Sequence, residues 1–158
     1  MTRSVSCALL ACVGVLATAA PAPAAVAPCR AQVNQGVLPE WARTGFSDPR
    51  PRMPHTLGRA HRIAAIIFGY PLLARPGKER SNKILWVSRS ADRPVSDLRI
   101  RAQKMHGRRR IGRHEVRVVR GGPGPSGINL PSPGCWRISL TWSGRSDTLD
   151  LRYNNRES

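Results

Sequence analysis

Few side chains in this sequence have the types and spacing that catalysis requires. Nine residues are acidic, and most are predicted to lie in turns or at strand ends, often beside arginines, as solvated surface charges do. No serine has the strand–turn–helix context of a hydrolase nucleophile, although a Ser-His-Asp site built from distant residues would leave no local pattern. The histidines, His55, His61, His106 and His114, show no metal-ligand spacing. These residues predict a protein that is not an enzyme and binds no metal or cofactor.

The first 24 residues have the features of a cleavable signal peptide. Arg3 supplies a positive charge, Val5 to Ala20 is almost wholly small or apolar, and Ala22-Pro23-Ala24 has the small-x-small pattern of a cleavage site. An uncleaved membrane anchor is the first alternative, but the apolar run is short for a span of about 20 residues. The sequence therefore predicts secretion, or exposure on the outer face of the cell envelope, after cleavage near Ala24.

A lipoprotein is the second alternative, because Leu9-Leu10-Ala11-Cys12 resembles a lipidation site. Few residues precede Cys12, however, and the apolar run continues beyond it. Cleavage near Ala24 would leave Cys29 and Cys135, 106 positions apart. An exported chain with an even number of cysteines is expected to oxidise them, so we predict a Cys29–Cys135 disulfide in place of two buried thiols.

The chain is strongly basic, with 26 lysines and arginines against 9 acidic residues and a net charge of +17. Such a surface attracts polyanions, so an anionic wall polymer or a membrane surface is a candidate partner. A GC-rich coding sequence gives the same excess of arginine over lysine without any function. Export and an aromatic content of 5% argue against nucleic acid.

The arrangement of strands and turns predicts an all-β domain. Residues 25–58 contain five prolines and are expected to form an extended, irregular arm packed on the domain. Residues 59–158 contain short alternating segments separated by Pro/Gly turns, which is typical of an immunoglobulin-like antiparallel β-sandwich of about seven strands. The predicted strands are Arg62–Phe68, Asn82–Arg89, Asp97–Met105, Glu115–Arg120, Gly127–Leu130, Cys135–Trp142 and Leu149–Tyr153.

Two of these strands alternate cleanly, with apolar residues on one face and polar residues on the other. We expect the apolar faces to point into the sandwich. The side chains predicted to face outward are Arg99, Arg101 and Gln103 on one strand, and Arg137, Ser139 and Thr141 on the other.

The arm supplies a tentative binding face. It carries two bulky aromatics, Trp41 and Phe46, near basic and titratable side chains. We expect the face to consist of Trp41, Arg43, Phe46, Arg50 and His55. In the alternative, Trp41 and Phe46 only plug one open end of the sandwich.

Three stretches, Trp41–Phe46, Asn82–Arg89 and Leu130–Arg137, together resemble a family of uncharacterised secreted proteins and lipoproteins of high-GC Gram-positive bacteria. The corner Pro131-Ser132-Pro133-Gly134-Cys135 is its most recognisable motif. The resemblance implies an envelope location and a small β-domain, and it brings no activity or residue role. The expected function is a passive, monomeric binding or interaction module whose partner is unknown.

Overall fold

The structure is a computed structural model that describes residues 28–90 and 94–155. The predicted signal peptide and Cys12 lie outside these residues. The described chain contains one 3-10 turn, Glu40–Ala42, and otherwise strands and loops. The strands are β1 (His55–Leu57), β2 (Ile63–Ile67), β3 (Lys83–Ser88), β4 (Leu98–His106), β5 (Arg109–Val119), β6 (Pro125–Gly127), β7 (Gly134–Trp142) and β8 (Arg145–Tyr153).

The strands form two sheets, and every neighbouring pair is antiparallel. The first sheet has the order β1-β2-β3-β6, and the second has the order β5-β4-β7-β8. Strands β2-β3-β6 and β5-β4-β7-β8 follow the order A-B-E and C′-C-F-G of immunoglobulin-like domains, with β1 as an addition. The predicted all-β sandwich is confirmed.

The core lies between the sheets and is built around large aromatic residues. Trp86, Trp136, Trp142 and Tyr153 are each at most 2% exposed. Their polar atoms are bonded: the indole nitrogen of Trp86 donates to Ser126 Oγ at 2.9 Å, and the Tyr153 hydroxyl donates to the carbonyl of Ile128 at 2.9 Å. Burial of these rings therefore leaves no hydrogen-bonding group unpaired.

The arm covers the outer face of the first sheet. Leu38 and Ala42 of the arm are fully buried against Ala64 and Ile66 of β2. For this reason every residue of β2 is buried, although a strand with one solvated face would alternate. Leu85 and Val87 of β3 pack into the same cluster, which confirms that β3 is covered on both faces.

One strand, β1, was not predicted, and three others differ clearly from their predicted bounds. β8 begins at Arg145, four residues before the predicted start at Leu149, because residues 145–148 are polar and give no apolar alternation. β1 lies inside the segment expected to be irregular, where two prolines precede its three residues and hide the pattern. β5 begins at Arg109, because its first half is polar and basic and gives no apolar alternation. β6 is Pro125–Gly127 in place of Gly127–Leu130. It is an edge strand, where proline is tolerated, and the chain leaves the sheet after Gly127.

A buried carboxylate joins the two sheets at one end of the sandwich. Asp147 of β8 accepts hydrogen bonds from the backbone amides of Ala60 and Arg62, both at 2.9 Å. These amides belong to the turn between β1 and β2. The turn passes so close that a Cβ atom on Gly58 would overlap the Asp147 carboxylate.

We expect Gly58→Ala to lower the free energy of unfolding by about 1–3 kcal/mol, the usual cost of inserting a methyl group into packed space. Urea unfolding followed by tryptophan fluorescence measures the change. Gly127→Ala is the matched control, since a Cβ atom there meets no atom within 4 Å. Equal midpoints for Gly58→Ala and the parent would show that the turn is not held against Asp147.

Candidate functional site

The second sheet, unlike the first, keeps most of its outer face open. Side chains from three strands line a concave groove of about 510 Å³ on this face. We call it the arginine groove. Its lining includes Arg99, Ile100, Arg101, Gln103, Arg110, His114, Val116, Arg137, Ser139 and Thr141. The outward positions predicted for β4 and β7 are thereby confirmed and brought together in one site.

The register of the strands places guanidinium and hydroxyl groups in rows. Arg99 of β4 pairs with Thr141 of β7, and Arg101 pairs with Ser139. On the other side of β4, Arg99 pairs with Val118 of β5, and Arg101 pairs with Val116. Side chains of paired residues lie on the same face of the sheet. Each row therefore consists of a valine from β5, an arginine from β4 and a hydroxyl side chain from β7.

The groove carries uncompensated positive charge. Arg99, Arg101 and Arg110 are exposed, and none of them forms an ion pair with a described residue. Arg101 Nη2 lies 3.2 Å from Nδ1 of His114. Because a guanidinium has only donors, this ring nitrogen is the acceptor, and the histidine does not neutralise the arginine. The lining contains no acidic residue.

The fourth arginine of the lining, Arg137, is fixed by a buried carboxylate. Its Nε donates to Asp150 Oδ1 at 2.9 Å, and its Nη2 lies 3.2 Å from Oδ2. The same carboxylate accepts from Arg59 Nη2 and from the backbone amide of Arg30, both at 2.8 Å. Burial alone would raise the pKa of Asp150. The hydrogen bonds from Arg137, Arg30 and Arg59, with the charge of Arg137, outweigh burial and lower the pKa of Asp150 below its usual value.

The N-terminal strap, Pro28–Arg30, bounds the groove beyond Arg137. The predicted disulfide is confirmed: Cys29 is bonded to Cys135 on the outer face of β7, two residues from Arg137. The amide of Cys29 donates to the carbonyl of Gly107 at 3.2 Å, and Arg137 Nη2 donates to the carbonyl of Pro28 at 3.2 Å. The strap therefore attaches the start of the arm to β7 and to the turn that follows β4.

The tentative face of the arm lies on the other sheet. Trp41 and Phe46 are half-buried against the outer face of the first sheet, and the Phe46 ring stacks on Phe68 with centroids 6.4 Å apart. The expectation that they plug an open end of the sandwich is wrong, because they cover a face. Arg43 Nε donates to the carbonyl of Leu38 at 2.8 Å and so stabilises the arm itself.

The two remaining residues of the tentative face have different environments. Arg50 is exposed. His55 is 3% exposed, and its Nδ1 lies 2.8 Å from the carbonyl oxygen of Met53. Ligand binding by Trp41, Arg43, Phe46, Arg50 and His55 stays a prediction.

Sequence reasoning missed the groove as a site. It placed the arginines of β4 outward but did not group them with the outward residues of β7 into one site. The local signal was the matching alternation in the two strands, arginine in β4 and hydroxyls in β7. Only the pairing of β4 with β7, far apart in the chain, turns that alternation into one surface.

The residues that the structure describes include no group of three or more His, Cys, Asp or Glu able to hold a metal ion. Within 28–90 and 94–155, no helix is long and apolar enough to cross a membrane.

Comparisons with known proteins add little. No family model matches the sequence, and no curated protein is significantly similar to it. A crystal structure of a "Putative Lipoprotein" from Bacillus anthracis aligns with a TM-score of 0.44 and 18% identity, over 65% of this chain and 79% of that chain. This likeness is too low to carry an argument. None of the comparisons supports an origin in high-GC Gram-positive bacteria, and that resemblance stays a prediction.

Proposed function

We propose that this chain is an exported, non-catalytic binding domain of the cell envelope, and that its arginine groove holds an anionic polymer. The observation that carries the proposal is a concave, open face with three arginines that no described residue neutralises. Charges on a folded surface are commonly balanced by neighbours of opposite sign. Here the balancing charge has to come from a ligand or from solvent ions.

The character of the lining supports binding without catalysis. Nucleophilic catalysis by a serine or threonine needs its hydroxyl within hydrogen-bond reach of a base. Of the groups in the groove, the His114 Nδ1 atom is already bonded to Arg101, and Ser139 and Thr141 lie on a different strand, beyond β4. The lining contains no acid that could serve as a second base.

The proposal of export is supported by the leader-like sequence of residues 1–24 and by the disulfide. A bond between Cys29 and Cys135 is favoured in an oxidising compartment. The mass of the native protein tests this step. Cleavage after Ala24 gives the mass of residues 25–158 less two hydrogens, and a diacylglyceryl addition at Cys12 would overturn cleavage at Ala24 in favour of lipid anchoring. A reduced, unprocessed chain would overturn the proposal.

The groove is tested by the double variant Arg99→Gln/Arg101→Gln with inorganic polyphosphate as the probe. We expect the affinity of the parent to fall steeply as salt rises, because binding releases counterions. The variant should bind about tenfold or more weakly at low salt, since each lost charge-assisted hydrogen bond contributes about 1 kcal/mol or more. Isothermal titration calorimetry measures both effects.

The matched control is Arg50→Gln/Arg52→Gln. It removes the same charge from two exposed positions on the arm. Affinity close to that of the parent is expected. Equal losses for the two double variants would show that net charge alone attracts the polymer, and a loss confined to the arm variant would move the site to the tentative face. Either result overturns the assignment of the groove.

A further inference from the structure

We infer that the arginine groove is matched to a linear phosphodiester polymer with a short repeat, of the 1,3-linked poly(glycerol phosphate) type. The inference rests on the proposed function and specifies its ligand. The inference comes from two similar rows of side chains on the protein surface. The rows Val118–Arg99–Thr141 and Val116–Arg101–Ser139 each combine a valine, an arginine and a hydroxyl side chain, and they lie two residues apart along the strands.

The spacing of the rows is set by strand geometry. Residues two apart on a strand lie about 6.6 Å from each other and point to the same face. Arg99 and Arg101 are exposed along one line on β4, and neither has an ion-pair partner among the described residues. The face therefore presents two exposed guanidinium groups with a fixed offset between their Cα atoms, and that of Arg101 also contacts His114.

The repeat of the polymer has nearly the same length. Six bonds separate successive phosphorus atoms in a 1,3-linked glycerol phosphate chain, as many as two residues of polypeptide contribute, and two extended residues span about 7 Å. A chain that runs along β4 would thus bring consecutive phosphates to Arg99 and Arg101. A 1,5-linked ribitol phosphate repeat has about two more bonds between phosphorus atoms, so it is roughly a third longer. Its consecutive phosphates would therefore not match the spacing of Arg99 and Arg101.

The remaining groups of each row fit the rest of the repeat. The hydroxyls of Thr141 and Ser139 can donate to a phosphate oxygen or pair with the polyol hydroxyl. Val118 and Val116 are 48% and 44% exposed, and they offer an apolar strip to the methylene groups. The third row, which contains Gln103 and Arg137, is different because Asp150 already engages Arg137. Two complete rows predict two phosphate subsites.

Nucleic acid has a backbone repeat of similar length, so spacing alone does not separate it from glycerol phosphate. The lining separates them, because it includes no phenylalanine, tyrosine or tryptophan ring on which successive bases could stack, and its one imidazole, His114, is bonded to Arg101. The groove favours a phosphodiester chain without bases.

The test is calorimetric titration of the intact domain with glycerol phosphate oligomers that carry one to four phosphates. We expect the oligomer with two phosphates to bind about tenfold or more tightly than the monomer, because the second contact is intramolecular, and longer oligomers to add little per chain. Ribitol phosphate oligomers of equal charge should lack this gain. Arg99→Gln should reduce binding of the two-phosphate oligomer to the level of the monomer, and Arg52→Gln should leave it unchanged.

The outcomes distinguish an error in the identity of the ligand from an error in the location of the binding site. Equal affinity for glycerol and ribitol oligomers, with Arg99→Gln/Arg101→Gln still defective toward polyphosphate, would overturn this inference and leave the proposed function standing. Single-stranded DNA of equal charge binding as tightly as the glycerol oligomer would overturn the choice of a base-free chain. Binding to phosphatidylglycerol vesicles without any gain from one to two phosphates in solution would assign the groove to lipid headgroups. Groove variants that bind polyphosphate normally would overturn the proposed function itself.

Discussion

Replacing Cys29 and Cys135 together by serine is expected to lower the free energy of unfolding by about 4–5 kcal/mol. The bridge joins positions separated by 106 residues, and closing a loop of that size restricts the unfolded chain strongly. Because domains of this size are commonly stable by only about 5–15 kcal/mol, the variant should be marginal at physiological temperature. Guanidinium unfolding, followed by the fluorescence of the buried tryptophans, measures the difference.

Reduction of the parent protein is the control for this prediction. Dithiothreitol should move the unfolding midpoint of the parent to that of the double serine variant and leave the variant unchanged. The hydrogen bonds of the strap, from Cys29 to Gly107 and from Arg30 to Asp150, do not depend on the sulfur atoms. An unchanged midpoint in both experiments would mean that these bonds, and not the covalent link, fix the strap.

Asp150→Asn should have the second large effect, a loss of about 3–5 kcal/mol, as is typical when one partner of a buried ion pair is removed. The carboxylate is 1% exposed and holds Arg137, whose side chain is 9% exposed. Without it the guanidinium stays buried and loses its counter-charge. Urea unfolding at neutral pH measures the loss, and Arg137→Met in the same background should recover part of it.

The control for Asp150 is Glu115→Gln. Glu115 forms a long, more exposed ion pair with Arg117 at 3.8 Å, and removing such a pair is expected to cost less than about 1 kcal/mol. Similar losses for the two variants would show that burial does not strengthen the Asp150 network.

The pH dependence of stability follows from the lowered pKa of Asp150. An aspartate in an unfolded chain titrates near pH 3.9, so the stabilisation from the ionised carboxylate is complete above that value. It is lost as pH falls through the lower pKa of the folded state. The parent should therefore lose stability below about pH 4, and Asp150→Asn should lack this component.

Much of the fold could be predicted because its signals are local. The hairpin of β7 and β8 turns at Ser143 and Gly144, both with positive φ, between two alternating runs that the sequence shows directly. The first half of β5 could not be predicted. Apart from Ile111 it is polar on both faces, and it is a strand because β4 offers it a ladder of hydrogen bonds.

The candidate site was harder to predict than the fold. Arg99 and Thr141 become neighbours through the pairing of distant strands, and a single sequence gives no sign of that pairing. The openness of the groove also depends on the arm, which crosses the second sheet only at Pro28–Arg30 and then folds over β2 and β3. Trp41 and Phe46 were predicted to belong to a binding face because they are aromatic residues in a basic segment. In the structure their apolar surface packs against the first sheet.

The long edge strand β5 affects how copies of this protein can associate. Among the residues that the structure describes, β5 pairs only with β4. It carries Arg109, Arg113 and Arg117 along its length, and Gly112, with positive φ, lies where the register shifts. If β5 of one molecule paired with β5 of another, the arginines of the two strands would lie close together, and the irregular backbone would interrupt the hydrogen bonds between them. Association of many copies into a continuous sheet is thereby opposed at this edge.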